Sequence, residues 1–165
     1  MFREMRRSRQ ILPEEKVQEI LERGTNGILS VIGEDGYPYG VPISYAYEEG
    51  KIYFHSAKKG HKNDAIKKDS KVSFTVVDQD EIVPEKFTTY FRSVIGFGKA
   101  RLLEGEELYH ALDILGEKYW PGHIEERKEE IKGSLDAVAC YEISFDHIMG
   151  KEAIELVRMA EPKGE

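Results

Sequence analysis

The chain is expected to be an α+β protein, with six or so mostly antiparallel strands forming a small closed or partly split β-barrel and helices at its periphery. Three observations predict this. β-rich runs follow one another across short Gly-containing turns, which favours antiparallel neighbours. Two glycines, Gly96 and Gly98, interrupt a long strand pattern, as where a strand bends round a barrel corner. Helical periodicity occurs near the start, the middle and the penultimate position, and does not alternate with the strands as in βαβ units.

After a basic lead-in over residues 1–10, Leu12, Val17, Ile20 and Leu21 recur at helical spacing, with Glu14 and Glu15 in the first turn and Gly24 as the stop. Residues 27–57 then read as three strands joined at Glu34–Gly36 and Glu48–Gly50. In the middle strand Tyr39, Val41, Ile43, Tyr45 and Tyr47 fall on one face, and Gly40, Pro42, Ser44 and Ala46 on the other. The second face is small enough for a flat ligand or another backbone to approach, and Pro42, which cannot donate to a ladder, marks an edge or a bulge. A helix begins near His61. "KVSFTVVD" is a strand, Pro84 marks a loop, and "FTTYFRSVIGFGKARLL" is a long strand. Leu108, Ala111, Leu112, Leu115 and Tyr119 form a helical stripe, and "HIEERKEEIKGSL" is a second, more solvated helix. "AVACYEISFDHIMGK" is the last strand, and the tail over about 160–165 is expected to fray.

Composition narrows the function classes. At 165 residues, 40% hydrophobic and 33% charged, the chain suits one folded domain. A formal net charge of -7 disfavours a nucleic-acid or anionic-membrane partner, so any anion site must be local. Cys140, the single cysteine, excludes an intrachain disulfide and fits a reducing compartment. "MFREMRRSRQ" lacks the apolar core of a signal peptide, and no apolar run approaches the ~20 residues of a membrane span. A cytoplasmic location is expected.

The densest chemistry lies in "FHSAKKGHKNDAIKKD", residues 54–69. His55 and Ser56 face opposite sides of a strand, Gly60 permits a sharp turn, and a helix start there offers free N–H groups beside Lys58, Lys59 and Lys62. Such a turn can hold a phosphate. Equally, Lys58 and Lys59 can be ordinary turn residues, His55 a half-buried strand residue, and Lys67 and Lys68 a solvated face. The five histidines show no metal-binding spacing, so no metal site is expected. Gly96-Phe97-Gly98 lacks the following helix of a dinucleotide fingerprint.

Taken together, "MRRSRQIL", "GILSVIGEDGYPYGVPISYAYEEGKIYFHSAKKGHKNDAI", "KVSFTVVD", "TTYFRSVIGFGKARLL" and "ISFDHIMGK" resemble the FMN-binding split-barrel superfamily of pyridoxamine 5'-phosphate oxidase-like proteins, in particular its nitroimidazole-resistance branch. The likeness runs from Met5 to Lys151. It implies a single FMN-binding domain over residues 1–165 and a homodimer with the flavin at the subunit interface. Val41, Pro42, Ile43 and Ser44 would contact the ring, His55, Ser56 and Ala57 would line it further, and Lys62 would meet the phosphate. Tyr90 and Ser93 would lie beside the cofactor, while Tyr119 and Trp120 would stack from the partner subunit or pack in the core or on the dimer. The implied activity is oxidoreduction: reduced flavin passes electrons to a small acceptor, nitroaromatics included, with NAD(P)H as donor and His55 as a protonating group. The alternatives are a flavin-binding module without turnover, or a pocket for deazaflavin or haem with His55 or His61 on iron. Arg6, Arg7 and Arg9 would help bind the cofactor or pack on the dimer.

Overall fold

A computed structural model, which describes residues 1–162, gathers every β-rich run into one antiparallel sheet. Its strands are β1 (Asn26–Ile32), β2 (Pro38–Ser44), β3 (Ala46–Glu48), β4 (Lys51–Ala57), β5 (Lys71–Val83), β6 (Thr88–Leu102) and β7 (Val138–Glu152). They lie in the order β2-β1-β5-β6-β7-β4-β3. The helices are α1 (Glu14–Arg23), α2 (His61–Lys68), α3 (Gly105–Tyr119), α4 (Ile124–Ser134) and α5 (Ile154–Ala160).

The described residues form seven strands, one more than the sequence reading expects. The stretch read as one strand from Tyr39 to Tyr47 bends at Tyr45, so that β2 pairs with β1 and β3 pairs with β4. These halves are the two edges of the sheet, yet one residue joins them. The sheet must therefore roll until its edges meet, and it closes through the chain instead of through a ladder: the geometry of a split barrel. Pro42 sits on an edge strand, where its missing N–H is tolerated.

The bulky face of β2 turns inward, with Tyr39, Val41 and Ile43 packed on a core built from Leu29, Phe54, Phe74, Val94 and Ile143. Helix α1 closes one end of this core with Ile20 and Leu21, each 1% exposed. Full burial of one such side chain contributes roughly 1.5–3 kcal/mol. A second core lies outside the sheet, where Ala111, Leu112 and Leu115 of α3 and Ile131 of α4 cover Tyr53 of β4 and Cys140 of β7. At Gly98 a β-carbon would stand 2.1 Å from the Ser144 carbonyl oxygen, and the register shifts there, leaving Asp146 of β7 as the extra residue. Glycine is required at this bend by close approach.

Two ends depart from the sequence reading. The lead-in carries a 3-10 turn at Ser8–Gln10, and buried Gln10 donates to the Glu152 carbonyl at 2.8 Å. Helix α5 was not expected; too short for a full apolar stripe, it packs against that turn. Where fraying was expected, Glu161 closes α5 through its N–H to Val157 and pairs with Arg9 at 2.8 Å; residues 163–165 lie outside the described part. No helix among the described residues is long and apolar enough to cross a membrane.

Candidate functional site

The alternation of β2 leaves Gly40, Pro42 and Ser44 on its exposed face. The alternation of β4 sends Ile52, Phe54 and Ser56 inward and leaves His55 exposed. Because the sheet rolls, Ser44 at the end of β2 and His55 on β4 line one cleft of about 470 Å³. Its far wall comes from α3 and α4: Leu112 and Leu115, Gly116, Tyr119 and Trp120, then Arg127, Glu130 and Ile131. Tyr119 also holds the bend between β2 and β3. Its hydroxyl donates to the Tyr45 carbonyl at 2.6 Å and accepts from the Tyr45 N–H at 3.1 Å. Buried Tyr45 donates in turn to the Leu21 carbonyl at 2.8 Å, and burial pushes its phenol well above the usual range.

Below His55 the chain turns into α2 at Gly60, whose φ of 143° suits glycine. The turn is held from inside by Asn63, 7% exposed. Asn63 donates through Nδ2 to the Ala57 carbonyl at 2.6 Å, and its Oδ1 accepts from Tyr141 at 3.1 Å. The Ser56 hydroxyl lies 2.6 Å from the Ala57 carbonyl and 3.0 Å from Asn63 Oδ1, sharing one proton between them. Ser56 therefore faces the interior, and its side chain is spent on the turn. Ala57, Lys58 and Lys59 are exposed, and Lys62 is half-buried on the first turn of α2. His61 stacks on Tyr39 at 4.3 Å and lines a depression with Glu34, Asp35 and Asp64. That side of the helix start is acidic, which leaves Lys58, Lys59 and Lys62 as the cations for an anion.

The remaining sequence candidates distribute as follows. Val41 and Ile43 point into the core and offer a ligand their backbone only. Tyr90 is buried on β6 and accepts from Lys86 at 2.9 Å; Ser93 is half-buried on the same strand. Strand β6 is flanked by β5 and β7, so neither residue reaches the Ser44–His55 cleft within one protomer. Tyr119 and Trp120 line the cleft from the same protomer, each 44% exposed.

Sequence reasoning missed Arg127. It sits in a helix that reads as solvated, yet its side chain is 6% exposed. Its NH1 pairs with Glu117 at 2.6 Å and donates to the Trp120 carbonyl at 3.2 Å, and its NH2 lies 3.5 Å from Asp113. Nε is buried without a partner among the described residues. The one available signal was Gly116 on α3, where a β-carbon would press 2.8 Å from Arg127 Cδ.

Residues 13–152 match the family model described as pyridoxamine 5'-phosphate oxidase. The chain belongs to this family. Solved structures agree on the pyridoxamine 5'-phosphate oxidase-like fold. A conserved hypothetical protein of Mycobacterium tuberculosis is 21% identical, covers 98% of this chain and 96% of its own, and has a TM-score of 0.80. A candidate 5-nitroimidazole antibiotic resistance protein of Bacteroides thetaiotaomicron is 22% identical, covers 86% of each chain, and has a TM-score of 0.73. An FAD- and haem-binding protein of Mycobacterium smegmatis is 18% identical, covers 93% of this chain and 81% of its own, and has a TM-score of 0.72. No curated protein matches the chain.

Proposed function

We propose that this member of the pyridoxamine 5'-phosphate oxidase family is a cytoplasmic FMN-binding oxidoreductase that passes electrons from reduced flavin to a small acceptor, nitroaromatics included. The observation that carries the reading is the Ser44–His55 cleft, which joins the end of the small exposed face of β2 to the strand, β4, that runs directly into the basic start of α2. The residues fit the group. Gly40, Pro42 and Ser44 present no bulk, and a β-carbon added at Gly40 would still meet Ile28 only at an ordinary 3.4 Å, so an aromatic ring can lie on this face. Pro42 and Ser44 with the backbone of Val41 and Ile43 would hold the ring, and His55 and Ala57 its edge. Lys62 and the first amides of α2 would hold the phosphate.

Bound FMN would supply reversible hydride and electron transfer. The chain's own contribution is then orientation, exclusion of water and placement of a proton. His55 is the one imidazole on the cleft wall, so it is the residue to exchange a proton with the acceptor. The neighbours named for 5-nitroimidazole resistance and for FAD and haem binding support a redox cofactor on this fold. A homodimer belongs to the same proposal: Ile28, Ile32, Val77, Ile95 and Phe97 lie 38–57% exposed on β1, β5 and β6, more apolar surface than a solitary sheet face usually leaves in water. Such a contact would also bring Tyr90 and Ser93 of one subunit within reach of the other's cofactor.

The test is spectroscopic. FMN titrated into the protein is expected to lose fluorescence with a saturable endpoint, and the complex to bleach under anaerobic NADH or NADPH and reoxidise on adding a nitroaromatic. Unquenched FMN overturns the reading, a Soret band in the protein as purified favours haem, and binding without bleaching favours a module that does not turn over.

A further inference from the structure

We infer that the α3–α4 side of the cleft is a recognition site for neutral, planar, electron-poor aromatics, and that Arg127 and Glu130 reject anionic ones. The inference deepens the flavin reading and rests on it for the redox role of the bound molecule; the recognition itself follows from the cleft. The floor is apolar, with Leu112, Leu115 and Ile131, and Trp120 stands at the wall as a flat π-surface. A planar ring therefore gains both burial and stacking.

Charge then selects among planar rings. An arginine in a ligand cleft ordinarily recruits a carboxylate. Here the guanidinium is already engaged by Glu117 at 2.6 Å and Asp113 at 3.5 Å, so little positive charge is left for a third anion. Glu130 adds a negative charge to the same wall. The Arg127 Nε N–H is buried and has no partner among the described residues. It lies beside Gly116, where a β-carbon would stand 3.3 Å away, and both residues line the cleft. A neutral oxygen such as that of a nitro, quinone or amide group brings no charge against Glu130 and, with a small shift of the Arg127 side chain, supplies the acceptor that the buried Nε N–H lacks.

Trp120 is the single tryptophan of the chain, so its fluorescence reports on this cleft. The protein as purified is titrated near neutral pH with 4-nitrobenzamide and with 4-nitrobenzoate, which differ in charge and share the nitroaromatic ring. Saturable quenching by the amide is expected, with the benzoate about tenfold weaker. Glu130→Gln, on the exposed side of α4, should narrow that gap. Gly116→Ala suits a helix interior and places a methyl 2.8 Å from Arg127 Cδ and 3.3 Å from Nε, so Arg127 must shift away from its place on this wall; it should weaken the amide about fivefold. Equal binding of the two compounds, tighter binding of the benzoate, or quenching that only rises linearly overturns the inference, as does wild-type behaviour in both variants. Charge discrimination in a protein that takes up no FMN would support this inference and overturn the flavin reading, so the two fail separately.

Discussion

Asn63 and Lys62 are neighbours on the first turn of α2 with opposite duties. Asn63 points inward and satisfies the Ala57 carbonyl and the hydroxyls of Ser56 and Tyr141. Truncating it strands buried polar groups, each costing about 1–3 kcal/mol. Asn63→Ala should therefore lower the unfolding free energy by roughly 2–3 kcal/mol in urea titrations; a loss no larger than that of a surface alanine would mean that the cluster is not holding the turn. Lys62 is half-buried beside Asn63 and, on the flavin reading, contributes to one ligand group only. Lys62→Ala should weaken FMN by roughly 1.5–3 kcal/mol, the worth of a hydrogen bond to a charged oxygen, and leave riboflavin unchanged. Equal losses for both flavins would move the phosphate elsewhere. The sequence indicates the alternation of His55 and Ser56 and the helix start at His61, because both follow from local periodicity. It does not indicate that Ser56 is consumed internally, since that depends on Tyr141 of β7, 78 residues away from Asn63.

Among the elements, the break between β2 and β3 does most to shape the cleft, because it lets the sheet close on itself and bring Ser44 to His55. Tyr119 holds the bend through both backbone groups of Tyr45. Tyr119→Phe leaves the Tyr45 N–H and carbonyl without that partner and should cost about 1–3 kcal/mol of stability. An unchanged melting temperature would show that the bend is fixed by strand pairing alone. The register of β5 against β6 also shifts, between Val77 and Gln79, and the bulge this leaves at Asp78 is held differently. Asp78 accepts two bonds from Arg23 at 2.8 Å, and these, with Arg92 at 3.5 Å, outweigh burial and hold its carboxyl below the ordinary 3.8. Burial pushes Glu142 up, but Lys51 and Arg101 at 3.3 Å outweigh it and hold this carboxyl below 4.5. A depressed carboxyl stabilises the fold above its unfolded pKa and loses that contribution as pH falls through its folded value. Stability should thus decline from about pH 5 downward. Asp78→Asn, with half-exposed Arg23 screened by solvent, should cost about 1 kcal/mol at pH 7 and progressively less as pH falls below about 5. A constant difference across that range would remove the ion pairs as the cause.

For the whole molecule, the α+β class and antiparallel order are legible in the sequence because hairpins and helices announce themselves within a few residues. Closure is not, since one continuous β-rich run gives no sign that its halves pair with different strands. Arg127 was illegible for a related reason: a helix of Glu and Lys reads as solvated until α3 is laid across it. The outer sheet face carries a last consequence. Ile28 of β1 aligns with Thr75 of β5 and Ile95 of β6, and Ser30 with Ser73 and Phe97, so the exposed apolar groups form one patch across adjacent strands. If a second copy covers it, charges placed there must prevent association without disturbing the protomer, because Val77 and Ile95 are already 57% and 38% exposed. Val77→Glu with Ile95→Glu should halve the mass seen by sedimentation, leave the far-ultraviolet circular dichroism unchanged, and abolish FMN uptake, since the cofactor is proposed to need both subunits. A double variant that keeps its mass places the dimer on another face. One that becomes monomeric and still binds FMN confines the cofactor site to the single-protomer cleft of Ser44 and His55.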